Sequence, residues 1–317
     1  MLYVLGNILS IDSSMNDFFQ FIQNGFLTHL FTWLTLLGDS YGLVIFIILS
    51  YIYEENEKNL GLVLSIAITS VGLVGLIKGL VKRPRPYENP GVTIPGSEID
   101  FFPYGVKTTG FSFPSGHSAN AAIISTHFSV GYKRKVFYII GIVFTILIMI
   151  SRMYLAQHYL TDVLTGMLIG LLITYLFLTF LHPLIKKYYR IGFLVLGCIC
   201  PLLMIMKSHT ITITAGLLMP LFCFQYFKGK FVSPFRCKCV FKHIFNLMLY
   251  FLPVLGLEIL FNTVFITPNI VLLFLEYLVM GFWAFVIAPI LSGYIFHLNN
   301  KNEKENSCVV SEEPSNS

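Results

Sequence analysis

Charge is what this 317-residue sequence has least of. Asp, Glu, Lys and Arg make up 12% of it, against about a quarter in soluble domains. That excludes a water-facing surface for most of the chain. The N-terminus has no basic stretch ahead of its first apolar residues, so no cleavable leader is expected there. The six cysteines lack the paired spacing of a metal site. Cys237 and Cys239 form one CxC without a second ligand pair, and all six are read as incidental thiols. No metal and no cofactor is expected. The net charge of +5 does not gather into one basic patch, so nucleic acid is not an expected partner.

What is present is oil. Hydrophobic residues make up 56% of the chain, aromatics 15%, and mean hydropathy is +0.75. A helical crossing of a bilayer takes about 20 apolar residues. Candidate spans fall at 15–37, 41–53, 59–81, 115–132, 136–153, 161–181, 191–206, 210–227, 244–261 and 270–296. The stretch 41–53 is short for a crossing, which makes the preceding segment and its turn "LGDSYG" (37–42) a candidate interfacial or re-entrant piece. The basic residues sit in the connections: Lys133, Arg134 and Lys135; Lys186, Lys187 and Arg190; Lys228, Lys230, Arg236, Lys238 and Lys242. Counting spans puts all of these on one side, the cytoplasm by the positive-inside trend. The loop 82–114 and the turns near 152–158, 207 and 262–269 then face the other side.

Three polar clusters do not suit a bilayer, where ionisable groups are costly and point to function. In "KGLVKRPRP", Lys78 ends an apolar span and Arg85 follows seven residues later, with Pro84 and Pro86 stopping the helix. In "PSGH" (114–117), Ser115 can cap the helix that begins there, and Gly116 lets a ligand approach the main chain. A helix start offers unpaired N–H groups to an anion. In "SRMYLAQHYLTD" (151–162), Arg152 closes one span while His158 and Asp162 open the next, and their separation of four puts imidazole and carboxylate on one helix face. Taken singly, each has a structural explanation: an interfacial basic cluster, a helix cap beside an interfacial histidine, a helix-start acid beside a surface histidine. Together, on one side of the membrane, they supply cations, helix-start amides and two histidines. That set matches a tetrahedral phosphate.

The motifs KxxxxxxRP (Lys78, Arg85, Pro86), PSGH (114–117) and SRxxxxxHxxxD (Ser151, Arg152, His158, Asp162) are complete and in order. In them the chain resembles the type 2 phosphatidic acid phosphatase superfamily, over about residues 15–181. The resemblance implies an all-α, polytopic membrane bundle with a six-helix phosphatase core and metal-independent dephosphorylation through a phosphohistidine. It further implies that His158 attacks phosphorus, Asp162 orients it and His117 protonates the leaving oxygen. Lys78, Arg85, Arg152, Ser115 and the Gly116 backbone would hold the phosphoryl group.

The expected organisation is a core over 1–181, about four additional C-terminal membrane helices over 182–298, and a disordered cytoplasmic tail over 299–317. In the C-terminal helices Glu258 and Glu276 stand out as intramembrane acids. The loop 87–113 is long for a connection, and its "DFFPYG" (100–105) suits either a headgroup-level lid or an aromatic belt. The expected substrate is a lipid phosphate or diphosphate: undecaprenyl diphosphate, phosphatidylglycerol phosphate or phosphatidic acid. The expected place is the cell membrane, multi-pass, with the active site on the extracytoplasmic side. Alternatives are a sugar-phosphate phosphatase of the glucose-6-phosphatase kind, a lipid phosphotransferase, and, outside enzymes, a transporter or lipid-binding membrane protein.

Overall fold

A computed structural model describes residues 2–53, 65–66, 72–95, 110–181, 183, 188–202, 209–228, 240–264 and 269–295. All its regular elements are helices. They are α1 (Leu2–Phe21), α2 (Gly25–Leu36), α3 (Ser40–Tyr53), α4 (Val74–Val81), α5 (Gly116–Tyr132), α6 (Lys135–Tyr154), α7 (Leu160–Leu176), α8 (Tyr189–Leu202), α9 (His209–Lys228), α10 (Val240–Val264) and α11 (Ile270–Phe282). Helices α7 and α11 run on through π-helical turns at Phe177–Leu181 and Trp283–Ile287. Among the described residues, Lys135–Tyr154, Leu160–Leu181, Ile244–Phe261 and Ile270–Ile295 are long and apolar enough to cross a membrane. Side chains such as Ile139, Ile142, Leu168 and Leu172 are exposed on them, as a lipid-facing surface requires.

The centre of the N-terminal half is α5, which α6 and α7 flank. Its sequence, rich in Ala, Ser and Gly, is the least apolar of the three because it meets protein and little lipid: Ala119, Ala121, Ala122, Ile123 and Ile124 are buried. Small residues let the backbones approach closely. A Cβ on Gly166 would stand 2.2 Å from the Ser115 carbonyl, and one on Gly170 would stand 2.4 Å from that of Ala119. Ser125 donates to the Gly141 carbonyl at 2.8 Å and pairs with Thr145 at 2.9 Å, which joins α5 to α6. These crossings put the start of α5, the end of α6 and the start of α7 at one end of the bundle.

The N-terminal part differs from expectation. The candidate span 15–37 is two helices, broken at residues 22–24, because the Asn24 side chain accepts from the Leu27 N–H and caps α2. Helix α1 meets the ends of α6 and α7: Phe19 packs edge-on to Tyr154 and Asp12 reaches Thr161. Helix α2 then descends beside α6, with Thr28 at Tyr154 and Gly38 just past its end beside Ile148. Helix α3 continues the descent, placing Phe46 against Phe128 and Phe144. So α2 and α3, of 12 and 14 residues, form one interrupted passage whose break lies at the level of His117.

The C-terminal helices share a core with this half. A single apolar cluster runs from Leu43, Ile47 and Ile48 on α3 and Ile123 and Ile124 on α5 to Leu217, Leu221, Phe274 and Phe285. Glycines again set the contact: a Cβ on Gly281 would lie 2.3 Å from the Leu217 carbonyl. The loop segment 100–105, the CxC at 237–239 and the tail 299–317 lie outside the described residues.

Replacing Gly170 by Ala should destabilise the fold. Overpacking against the Ala119 carbonyl costs about 1–3 kcal/mol, more than the ~1 kcal/mol that Ala gains in helix propensity. A melting temperature in detergent equal to or above that of the unmodified protein would contradict the close α5–α7 crossing.

Candidate active site

The three motifs converge. Beyond α4 the chain leaves the helix through Lys82, in the left-handed conformation, and passes through Pro84 to the 3-10 turn Pro86–Glu88. Lys78, one turn before the end of α4, donates to the Phe111 carbonyl at 3.0 Å. Arg85 is buried; it donates from Nε to the Gly110 carbonyl at 2.7 Å and from Nη1 to the Gln157 carbonyl at 3.0 Å. The same Nη1 lies 3.4 Å from His158 Nε2. Arg152, in the last turn of α6, is also buried and donates to Thr35 Oγ1 at 2.8 Å. All these acceptors are neutral.

Ser115 caps α5 as its sequence position suggested. Its Oγ accepts from the Ser118 N–H at 3.4 Å and the Ser118 hydroxyl at 3.0 Å. Its own N–H donates to the Asp162 carbonyl at 3.0 Å, so the starts of α5 and α7 are joined through the main chain. His117 follows in the first turn, where the charges of Arg152, Lys78 and Arg85 and the ring of His158 all act on it. Its Nε2 lies 3.8 Å from Asp39 Oδ1, and Gly38 packs beside its Cβ.

His158 and Asp162 do not share a helix face, as their spacing suggested. His158 stands before α7, in a turn that holds the buried Ala156 at φ 54. Asp162 lies in the first turn and folds back, accepting from the Tyr159 N–H at 2.9 Å through Oδ2. The two side chains still meet: His158 Nδ1 is 3.5 Å from Asp162 Oδ2, long for a hydrogen bond. The carboxylate's firm partner is Arg83, whose Nη1 donates to Oδ1 at 2.8 Å. Burial, and after it the charges of Arg85, Lys78 and Arg152, hold the His158 imidazole well below its ordinary range. The ring is therefore neutral at pH 7.

Sequence reasoning passed over several residues of this pocket. Arg83 lies inside the first motif but not at one of its defining positions. Thr35 comes from the last turn of α2, and Gly38 and Asp39 from the turn 37–42; the break between α2 and α3 makes this stretch a wall of the pocket. The signal was a Gly-Asp pair interrupting an apolar stretch.

The family model described as the PAP2 superfamily matches residues 59–186, which include every motif residue above. Phosphatidylglycerophosphatase B of Bacillus subtilis (strain 168) is 32% identical over 182 residues, covering 53% of this chain and 82% of that protein. The chain belongs to the PAP2 superfamily. It is a phosphatase, and a multi-pass membrane protein. Two solved structures are also similar, each at 29% identity and a TM-score of 0.45. One is the first transmembrane PAP2 type phosphatidylglycerolphosphate phosphatase from Bacillus subtilis, matched over 55% of this chain and 86% of that one. The other is Aquifex aeolicus LpxE, over 54% and 94%.

A buried histidine kept neutral makes stability depend on pH. In the unfolded chain the ring titrates near 6.5, so below that pH the unfolded state binds a proton that the folded state refuses. This contribution is complete above pH 6.5 and is lost as the pH falls below it. The melting temperature should therefore drop more steeply on acidification in the unmodified protein than in His158→Gln. Parallel curves would contradict the depressed value.

Proposed function

We propose that this PAP2 phosphatase hydrolyses a lipid phosphate or diphosphate through a phosphohistidine on His158. The observation that carries the reading is the convergence of three cations, two of them buried, beside His158 and His117. Lys78, Arg85 and Arg152 come together there, oriented by hydrogen bonds to main-chain carbonyls and the Thr35 hydroxyl. The nearby Asp162 is committed to Arg83. Such a pocket favours an anion with several oxygens, and two arginines and a lysine match the equatorial oxygens of a phosphoryl group in transfer.

In the proposed sequence, His158 Nε2 forms a bond to phosphorus as the bond from phosphorus to the leaving oxygen breaks. His117 gives that oxygen its proton. The imidazole becomes a cation on phosphorylation, and the Asp162 carboxylate steadies it from the Nδ1 side. Water, deprotonated by His117, then attacks phosphorus, releases phosphate and returns His158 to its neutral state. Gly116, at the start of α5, leaves the main-chain amides open to the phosphoryl oxygens. Because Ser115 Oγ is engaged as the cap, its part in binding is to hold those amides in place.

The substrate we favour is phosphatidylglycerol phosphate, phosphatidic acid or undecaprenyl diphosphate. The 32%-identical relative is a phosphatidylglycerophosphatase, and the pocket lies at the bundle end, where a headgroup in a bilayer would present itself. The proposed organisation is a catalytic unit over 1–181 with additional membrane helices over 182–298. By the distribution of Lys and Arg, the pocket faces the extracytoplasmic side.

Phosphate release by the purified protein in detergent should persist in EDTA and vanish in His158→Ala, with a lipid phosphate turned over faster than glucose 6-phosphate. Activity retained in His158→Ala would overturn the phosphohistidine, and release from the sugar alone would overturn the substrate class. His117→Ala should lower turnover by about 10²–10⁴-fold with a smaller change in KM. For sidedness, a cysteine at the exposed position 88, with the native cysteines replaced, should react with a membrane-impermeant maleimide on intact cells. Labelling only after permeabilisation would reverse the orientation.

A further inference from the structure

We infer that Asp12 and Arg83 are positioning residues for the reaction. The chain Asp12–Arg83–Asp162 fixes the Asp162 carboxylate toward His158 and leaves it enough negative charge to steady the imidazolium, an inference that rests on the phosphohistidine reading above.

The geometry is closed on every side. Arg83 forks: Nη1 donates to Asp162 Oδ1 at 2.8 Å and to Thr161 Oγ1 at 2.7 Å, while Nη2 donates to Asp12 Oδ2 at 2.7 Å. Asp12 is itself buried, and its Oδ1 accepts from the Thr161 N–H at 3.0 Å while Oδ2 accepts from the Thr161 hydroxyl at 2.6 Å. The guanidinium lies 3.9 Å over the Tyr159 ring, so its plane is held as well as its ends. With Oδ1 of Asp162 fixed by Arg83 and Oδ2 by the Tyr159 N–H, the carboxylate has no freedom to turn away from His158 Nδ1, 3.5 Å off.

A cap on α7 explains Asp162, and a partner for a buried carboxylate explains Arg83. Neither explains Asp12. The chemistry does. An arginine paired with Asp162 alone would cancel its charge and leave little with which to stabilise a cationic ring among Lys78, Arg85 and Arg152. A second carboxylate on the far side of the guanidinium draws part of that positive charge away, so the triad as a whole stays negative where it meets His158. Asp12 also lies on α1, ahead of the residues 59–186 matched by the family model. The N-terminal helix thus supplies a functional group that the three motifs do not contain.

Asp12→Asn and Asp12→Glu, in the full-length protein in detergent, test this beside His158→Ala and the unmodified chain. Asparagine keeps the shape but presents a donor where Arg83 needs an acceptor. Turnover of phosphatidic acid, or of whichever lipid phosphate the unmodified protein hydrolyses, should fall in Asp12→Asn by about 10- to 100-fold, the range known for outer partners of metal-bound histidines. KM should stay close to its original value, and Asp12→Glu should retain more turnover than Asp12→Asn. The groups facing His158 are Lys78 on α4, Arg85 beyond it, His117 on α5, Arg152 on α6 and Asp162 on α7. None of these is changed, so an acid limb of kcat/KM moved to lower pH reports the lost negative charge. Turnover unchanged in folded Asp12→Asn, or losses in both variants that follow melting temperature with the acid limb unmoved, would overturn the inference. Full activity in His158→Ala would instead remove the phosphohistidine itself, which separates the two failures.

Discussion

The site depends on one close approach: the start of α5 lies against the start of α7 with almost no side chain between them. Gly166 meets the Ser115 carbonyl, and the Ser115 N–H donates to the Asp162 carbonyl. This fixes the helix start carrying His117 relative to the turn carrying His158. In a bilayer, where apolar surface gains little by leaving lipid, such packing and main-chain hydrogen bonding must supply the precision that a hydrophobic core supplies in water. Phosphoryl transfer needs that precision, because positioning accounts for much of its acceleration.

Around this contact the structure distributes charge unevenly. Arg83 is paired with Asp12 and Asp162, so its charge is met within the protein. Lys78, Arg85 and Arg152 donate to carbonyls and a hydroxyl, which orient them. Two arginines of one five-residue stretch, Arg83 and Arg85, thus have opposite functions. A neutral acceptor leaves positive charge for a ligand, and a carboxylate does not. Burial, and after it the cations that would bind phosphate, oppose a proton on the His158 ring.

The N-terminal helices close the pocket. Thr35 holds Arg152, Gly38 and Asp39 stand beside His117, and Asp12 reaches Arg83. They do so because α2 stops after 12 residues and α3 starts afresh. A continuous span would have carried residues 37–39 past the site as lipid-facing helix.

By itself the sequence determined the solvent, the class of fold and the chemistry. Scarce charge and long apolar runs leave only membrane helices, and the motifs at Lys78, Arg85, 114–117, Arg152, His158 and Asp162 name the groups that meet. Those features are legible because each is local, a composition or a fixed spacing within one segment. Tertiary structure alone decided the rest. It split 15–37 into two helices, took His158 and Asp162 off a common helix face, and gave Arg83 two carboxylate partners while turning Arg85 to main-chain carbonyls beside His158. It also brought Asp12 across 149 residues to Thr161. The partner of a buried charge is chosen by whichever backbone passes within hydrogen-bond distance, and no spacing along one segment encodes that.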